Sequence, residues 1–367
     1  MMDEIEIQKL FFYPVCNKDE IERIFNVQNA HDYLLKIRAE TIVDHMRLFR
    51  VYRNKSLADE KNWSLEKSFA DLHYRTFLKN IDPKYFEKCK DVVAGNIFSN
   101  DPNGQIFVCE YGPIITISDS LTFFFKFMNL ALLDFGERVP EYVCMNSLRI
   151  AIRIMLQTES MDFFMDPRGK VPVDIGAAIH NTIPYQMLFI AGHEYAHYLL
   201  DHISAQDISD KPIFYAILPG QEDYKPSKVY NKSQEQEFEA DIQSILLPKY
   251  TEMDRKKIID AALIWFGSLD LYEAVVDAIS PPDPYGYKSH PSARDRYKHI
   301  LENLPINLKK DYVKYKQFLS TIDFYKDMLL EDISRHIEIY EFYGSVYLDK
   351  PDSEWRGREL VDRIDYY

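Results

Sequence analysis

Two imidazoles and a carboxylate set into an apolar stretch restrict this chain more than any other feature. The stretch runs from Met187 to Leu200 and contains His193-Glu194-Tyr195-Ala196-His197, an H-E-x-x-H pattern. Its flanks, Met187 to Ala191 and Tyr198 to Leu200, hold neither Gly nor Pro, so the sequence predicts a buried helix. Helix positions four apart share one face, so His193 and His197 can hold one metal ion. Glu194 lies about 100° further round, near enough to reach a water on that ion without taking a coordination position. The competing reading is a buried helix with two hydrogen-bonded histidines. A third ligand decides between them, because a catalytic zinc takes three protein ligands and keeps one position open.

That ligand is sought downstream, in Glu235-Gln236-Glu237-Phe238-Glu239-Ala240-Asp241-Ile242, a segment of helical character. Glu237 and Asp241 are again four apart on one face, and the small Ala240 beside them lets a second helix pack closely. Glu237 is the candidate third ligand. Asp241 can accept a hydrogen bond from the far nitrogen of a ligand histidine and fix its tautomer. Glu235 and Glu239 are read as a solvated face.

His193-Glu194-x-x-His197 followed by Glu237-x-x-Ala240-Asp241 resembles the gluzincin peptidases, in particular the branch with an E-x-x-A-D motif and a later H-P-x-x-x-x-R element. Here that element reads His290-Pro291-Ser292-Ala293-Arg294-Asp295-Arg296. A closer resemblance is to the Lit-type phage-exclusion peptidases, and it spans about Gly95 to Leu301, including an upstream hairpin, a strand and a phenylalanine-rich helix. The resemblance implies a zincin-like core with one zinc ion per chain on His193, His197 and Glu237, and Glu194 as general base. It also places His290 and Arg296 near the transition state. His290 could donate a hydrogen bond to the oxyanion, and Arg296 could orient it or pair with a carboxylate of the ligand helix.

The rest of the chain bounds this reading. Twelve glycines in 367 residues are few, and the prolines fall mostly between periodic segments, which favours a largely helical protein. A net charge of −14 argues against nucleic-acid or anionic-membrane surfaces, both of which reward basic patches. Cys16, Cys89, Cys109 and Cys144 are scattered, as expected of free thiols in a reducing compartment. The acidic start Met1 to Glu6 is no secretory signal, and the apolar windows 113–135 and 187–200 are interrupted by Asp119, Lys126, His193 and Glu194. The expectation is a cytoplasmic protein that acts on proteins or peptides, without a nucleic-acid or membrane partner.

The expected fold class is α+β, mainly helical: a helical region over 1–95, the peptidase core with a small mixed sheet over 96–305, and a helical region over 306–367. Residues 97–99 and 106–109 read as a hairpin with Asn103-Gly104 at its tip, and Ile114-Ile115-Thr116-Ile117 as a third strand. That third strand, or its hairpin neighbour, is the expected edge for an extended substrate. Residues 203–234 read as a loop or partial lid between the ligand helices, and Ser280 to Tyr287 as a rigid loop delivering His290. His180 reads as structural and His202, five past His197, as part of a solvated helix end. Two functions follow: a zinc-dependent endopeptidase, selective and intracellular, of the phage-defence or stress-response kind; or a dormant or pseudo-peptidase serving as a sensor or interaction module around a structural metal.

Overall fold

The computed structural model describes residues 4–99, 103–202, 208–209, 228–230, 234–281, 291–308, 312–349 and 363–364. It opens with helices α1 (Glu4–Lys9), α2 (Lys18–Phe25), α3 (Ala30–Asp44), α4 (Met46–Ala58), α5 (Leu72–Asn80) and α6 (Pro83–Cys89). Strands β1 (Val93–Ile97), β2 (Gly104–Cys109) and β3 (Gly112–Ser118) follow, then α7 (Ser120–Leu132), α8 (Glu141–Met155) and α9 (Val173–Leu199). Short strands β4 (Ile208–Ser209) and β5 (Lys228–Tyr230) precede α10 (Gln234–Leu246), α11 (Glu252–Ile279) and α12 (Ala293–Asn303). The chain ends with α13 (Tyr312–His336), α14 (Glu338–Glu341) and the strand pair β6 (Gly344–Ser345) and β7 (Arg363–Ile364). The protein is therefore mainly helical with a small mixed sheet, as the low glycine count predicts.

Local chemistry sets many of these boundaries. Asn17 and Glu20 form a reciprocal capping box at the start of α2, and Asp82 caps α6 with Pro83 in its first turn. Thr251 and Ser292 accept from the third residues of α11 and α12, which satisfies donors that a helix start leaves open. His45 caps α4 through Nδ1, and His180 bonds the Gly176 carbonyl, so neither is drawn into the H-E-x-x-H site.

The sheet has the order β1-β3-β2-β5-β4. The expected hairpin between 97–99 and 106–109 is not formed. The hairpin joins β2 to β3 instead, with Cys109 opposite Gly112 and only Glu110 and Tyr111 between them. Gly112 supports this turn at φ +119°, a conformation costly for any residue with a Cβ. β1 lies on the other side of β3, parallel to it, from Val93↔Ile114 to Ile97↔Ser118. Ile114, Ile115, Thr116 and Ile117 thus belong to a strand flanked by neighbours on both sides. This corrects their assignment as a substrate edge.

Helix α9 is the axis of the molecule. It begins well before Met187 and runs through Pro184, whose ring is tolerated on the exposed side although it removes one backbone hydrogen bond. From Gln186 to His197 every residue is buried, against α5, α7, α10, α11 and β2. Phe189 meets Trp265 and Phe266 of α11 at centroid distances of 5.7 and 5.8 Å, and Tyr195 stacks on Phe77 of α5 at 5.0 Å. Contacts of this kind add about 0.5–1.5 kcal/mol each beyond the apolar area they bury. One apolar cluster extends from Phe12 to Leu348, so the helices before and after the sheet share its core.

The segment after α8 is held by ionic contacts with no solvent exposure. Glu159 accepts from Arg153 Nε at 2.7 Å and from Arg168 Nε at 3.0 Å, and Arg168 also reaches Asp162 at 3.2 Å. Gly344 N donates to the Thr158 carbonyl and Ser160 N to the Gly344 carbonyl, which ties β6 to the same place. The four cysteines are free. Among the described residues, no helix is long and apolar enough to cross a membrane.

Candidate metal centre

His193 and His197 project from one face of α9, as their spacing predicts, and α10 packs across them. Two small residues let the helices approach. Ala240 is fully buried in α10, and at Gly192 a Cβ would come within 3.1 Å of the Phe77 ring and 3.2 Å of Ser244 Cβ. The crossing brings Glu237 over both imidazoles. The His193 and His197 Nε2 atoms are 3.1 Å apart, and the Glu237 carboxylate oxygens lie 3.4 and 3.3 Å from them.

This donor set fits a divalent metal. Zinc bonds to nitrogen and oxygen of about 2.0–2.1 Å give tetrahedral donor–donor edges of roughly 3.3–3.4 Å, close to the distance of each imidazole from the Glu237 oxygen nearest it. Charge points the same way: Glu194, Glu237 and Asp241 gather buried carboxyl groups around the two imidazoles, with the Arg296 guanidinium beside them, and buried acidic groups favour a cation among them. His193, His197 and Glu237 can therefore hold a metal ion.

The ring orientations suit ligation too. His193 Nδ1 lies 2.9 Å from Asp241 Oδ1, a carboxylate that can only accept, so Nδ1 carries the proton and the Nε2 lone pair faces the other donors. Asp241 is itself gripped by Arg296, whose Nε and Nη2 donate to its two oxygens at 2.8 and 2.6 Å. Burial pushes the Asp241 carboxyl up, but the Arg296 charge and hydrogen bonds, helped by His193, bring it below the usual carboxylate range. For His193 the desolvating effect of burial is likewise outweighed, by Asp241 and Glu237, and its pKa is raised.

Arg296 pairs with the carboxylates of the ligand helix α10. Its Nη1 is 3.6 Å from Glu237 and its guanidinium lies over the Trp265 and Phe266 rings, so it braces the ligand carboxylates from behind. Of the two roles open to it in the sequence, this is the pairing with ligand-helix carboxylates. His290 lies outside the described residues, as does most of 203–234.

Glu194 stands beside the donor cluster, its Oε1 4.0 Å from His193 Nε2. The start of β2 closes its other side: a Cβ on Gly104 would sit 2.7 Å from Glu194 Cγ and 3.1 Å from Oε1. The strand next to the candidate base is thus β2, the hairpin neighbour of the one expected.

Two residues that sequence reasoning set aside belong to the site. His202 is 6% exposed, not solvated, and its Nδ1 lies 3.0 Å from His197 Nδ1. Its Nε2 in turn meets Glu239 Oε2 at 3.1 Å. No family model, curated protein or solved structure matches this chain.

Proposed function

We propose that the chain is a zinc-dependent endopeptidase with a zincin-like core. The observation that carries the proposal is the placing of Glu194 beside His193, His197 and Glu237, whose donor atoms lie within 4.8 Å of one another. His193, His197 and Glu237 would hold the ion, and zinc bound there would lower the pKa of a coordinated water and polarise a carbonyl. Glu194 accepts a proton from the attacking water and returns it to the leaving amine. Asp241 and Arg296 keep the His193 ring in its ligating tautomer while this happens. The gluzincin-like and Lit-like motifs point to the same chemistry and to a selective intracellular role in phage defence or stress response. His290 is proposed as the oxyanion donor from its place in the H-P-x-x-x-x-R element alone.

The test combines metal analysis with two variants. Protein purified without chelators should carry about one zinc per chain; Glu194→Gln should keep the metal and lose peptide hydrolysis, and Glu237→Ala should lose both. Full hydrolytic activity in Glu194→Gln would reject the assignment. The complete burial of His193, Glu194, His197 and Glu237 favours one second reading, a dormant enzyme or sensor whose site opens only on a trigger. Cleavage of unstructured casein by the untreated protein would exclude it.

A further inference from the structure

Helix α9 ends in a turn that returns the chain to one of its own metal-donor residues. Leu199 is the last helical residue and Leu200 the cap, and Asp201 takes the left-handed conformation at φ +55°. Asp201 N then donates to the Tyr198 carbonyl at 3.3 Å and His202 N to the His197 carbonyl at 3.1 Å. These are the paired bonds of a Schellman stop, in which the second residue past the cap folds over the third residue before it. Lys88 fastens the turn, reaching the Leu199 carbonyl at 3.0 Å and Asp201 Oδ1 at 2.6 Å. An apolar contact is usual between the two residues so joined. Here they are His202 and His197, and the contact is between ring nitrogens.

Two Nδ1 atoms 3.0 Å apart cannot both bear hydrogen, nor both present lone pairs, without repulsion. The other nitrogen of His202 decides the matter. Its Nε2 faces Glu239 Oε2, a carboxylate that only accepts, so in the neutral ring Nε2 holds the hydrogen and Nδ1 the lone pair. His197 must then donate from Nδ1. Asp241 fixes His193 in the same sense from the opposite side of the site.

We propose that His202 is a positioning residue of the metal centre, accepting the Nδ1 proton of His197 so that the His197 Nε2 lone pair faces Glu237 and His193. The proposal rests on the reading of those three residues as metal ligands. Glu239, about half exposed, orients His202 and contributes less than the buried ring, because water can replace it.

The test uses the full chain in two variants. His202→Leu removes the acceptor; His202→Asn keeps an amide oxygen near the place of Nδ1. Metal-free protein labelled with 15N-histidine, with His197 assigned through a His197→Gln spectrum, reports the ring tautomer directly. Wild type and His202→Asn should show the Nδ1–H form of His197, and His202→Leu a mixed or reversed one. Zinc affinity by chelator competition should fall about 10–100-fold in His202→Leu, as on losing other orienting partners of ligand histidines. His202→Asn should recover most of that loss, with the metal-free melting temperatures of the two variants alike. An unchanged tautomer in His202→Leu, a wild-type zinc affinity there, or a His202→Asn variant as weak as His202→Leu overturns the proposal. Wild-type protein that binds no zinc would instead remove the metal-centre reading, and the metal-free spectra would still decide whether His202 sets the His197 ring.

Discussion

His73 shows what burial does to a single titrating side chain in this protein. It is 7% exposed, and its Nε2 lies 2.9 Å from Asn96 Oδ1, a contact shared with the Tyr74 hydroxyl. Burial lowers its pKa to about 4 against the partial compensation of Asn96. The unfolded chain therefore binds the extra proton at higher pH than the folded one, and stability rises with pH between about 4 and 6.5. Acidifying from pH 7 to pH 4 should cost roughly 3 kcal/mol through this residue. Urea titrations at several pH values should show a shallower loss in His73→Gln than in wild type, and parallel curves would refute the assignment. At the same scale, the metal-donor residues and Asp241, which orients one of them, were legible because His193 and His197, and Glu237 and Asp241, follow four-residue spacing on helices. His202 was not. A residue five positions further along an ideal helix lies about 140° round from the first and points away from it, and only the left-handed Asp201 reverses that direction.

Among the elements, the least legible were the strands. Ile114 to Ile117 read as a strand from their β-branched side chains, but nothing in that pattern distinguishes a central strand from an edge. The pairing is decided by the two-residue link at Glu110-Tyr111 and by the parallel return of β1, which are choices of topology rather than of composition. The long helix was legible only in part, since Pro184 looks like a boundary and is a surface position inside α9. The helix ends and β6 are joined by the buried Arg153–Glu159–Arg168 group. Neutralising its centre with Glu159→Gln removes the carboxylate that Arg153 pairs with and leaves Arg168 only Asp162 and Asp166. A loss of about 3–5 kcal/mol in unfolding free energy is expected. Denaturation of the variant within 1 kcal/mol of wild type would show that the group contributes little.

For the molecule as a whole, a metal ion held by His193, His197 and Glu237 would couple folding to metal, because its ligands come together only in the folded chain. A ligand that binds only the folded chain adds about 2.7 kcal/mol of stability at a free concentration a hundredfold above its Kd. The melting temperature should therefore fall by several degrees in EDTA and recover when zinc is restored. A melting temperature indifferent to both would separate folding from metal. The three donors stand on two helices, so the size of the ion cage is a distance between helix axes rather than a property of either helix. Gly192 bears on that distance through its close approach to Ser244 and to Phe77 of a third helix. A methyl group there would require Phe77 and Ser244 to give way by a few tenths of an ångström. In the proposed site, selectivity between small and large cations would thus depend in part on a residue that has no side chain.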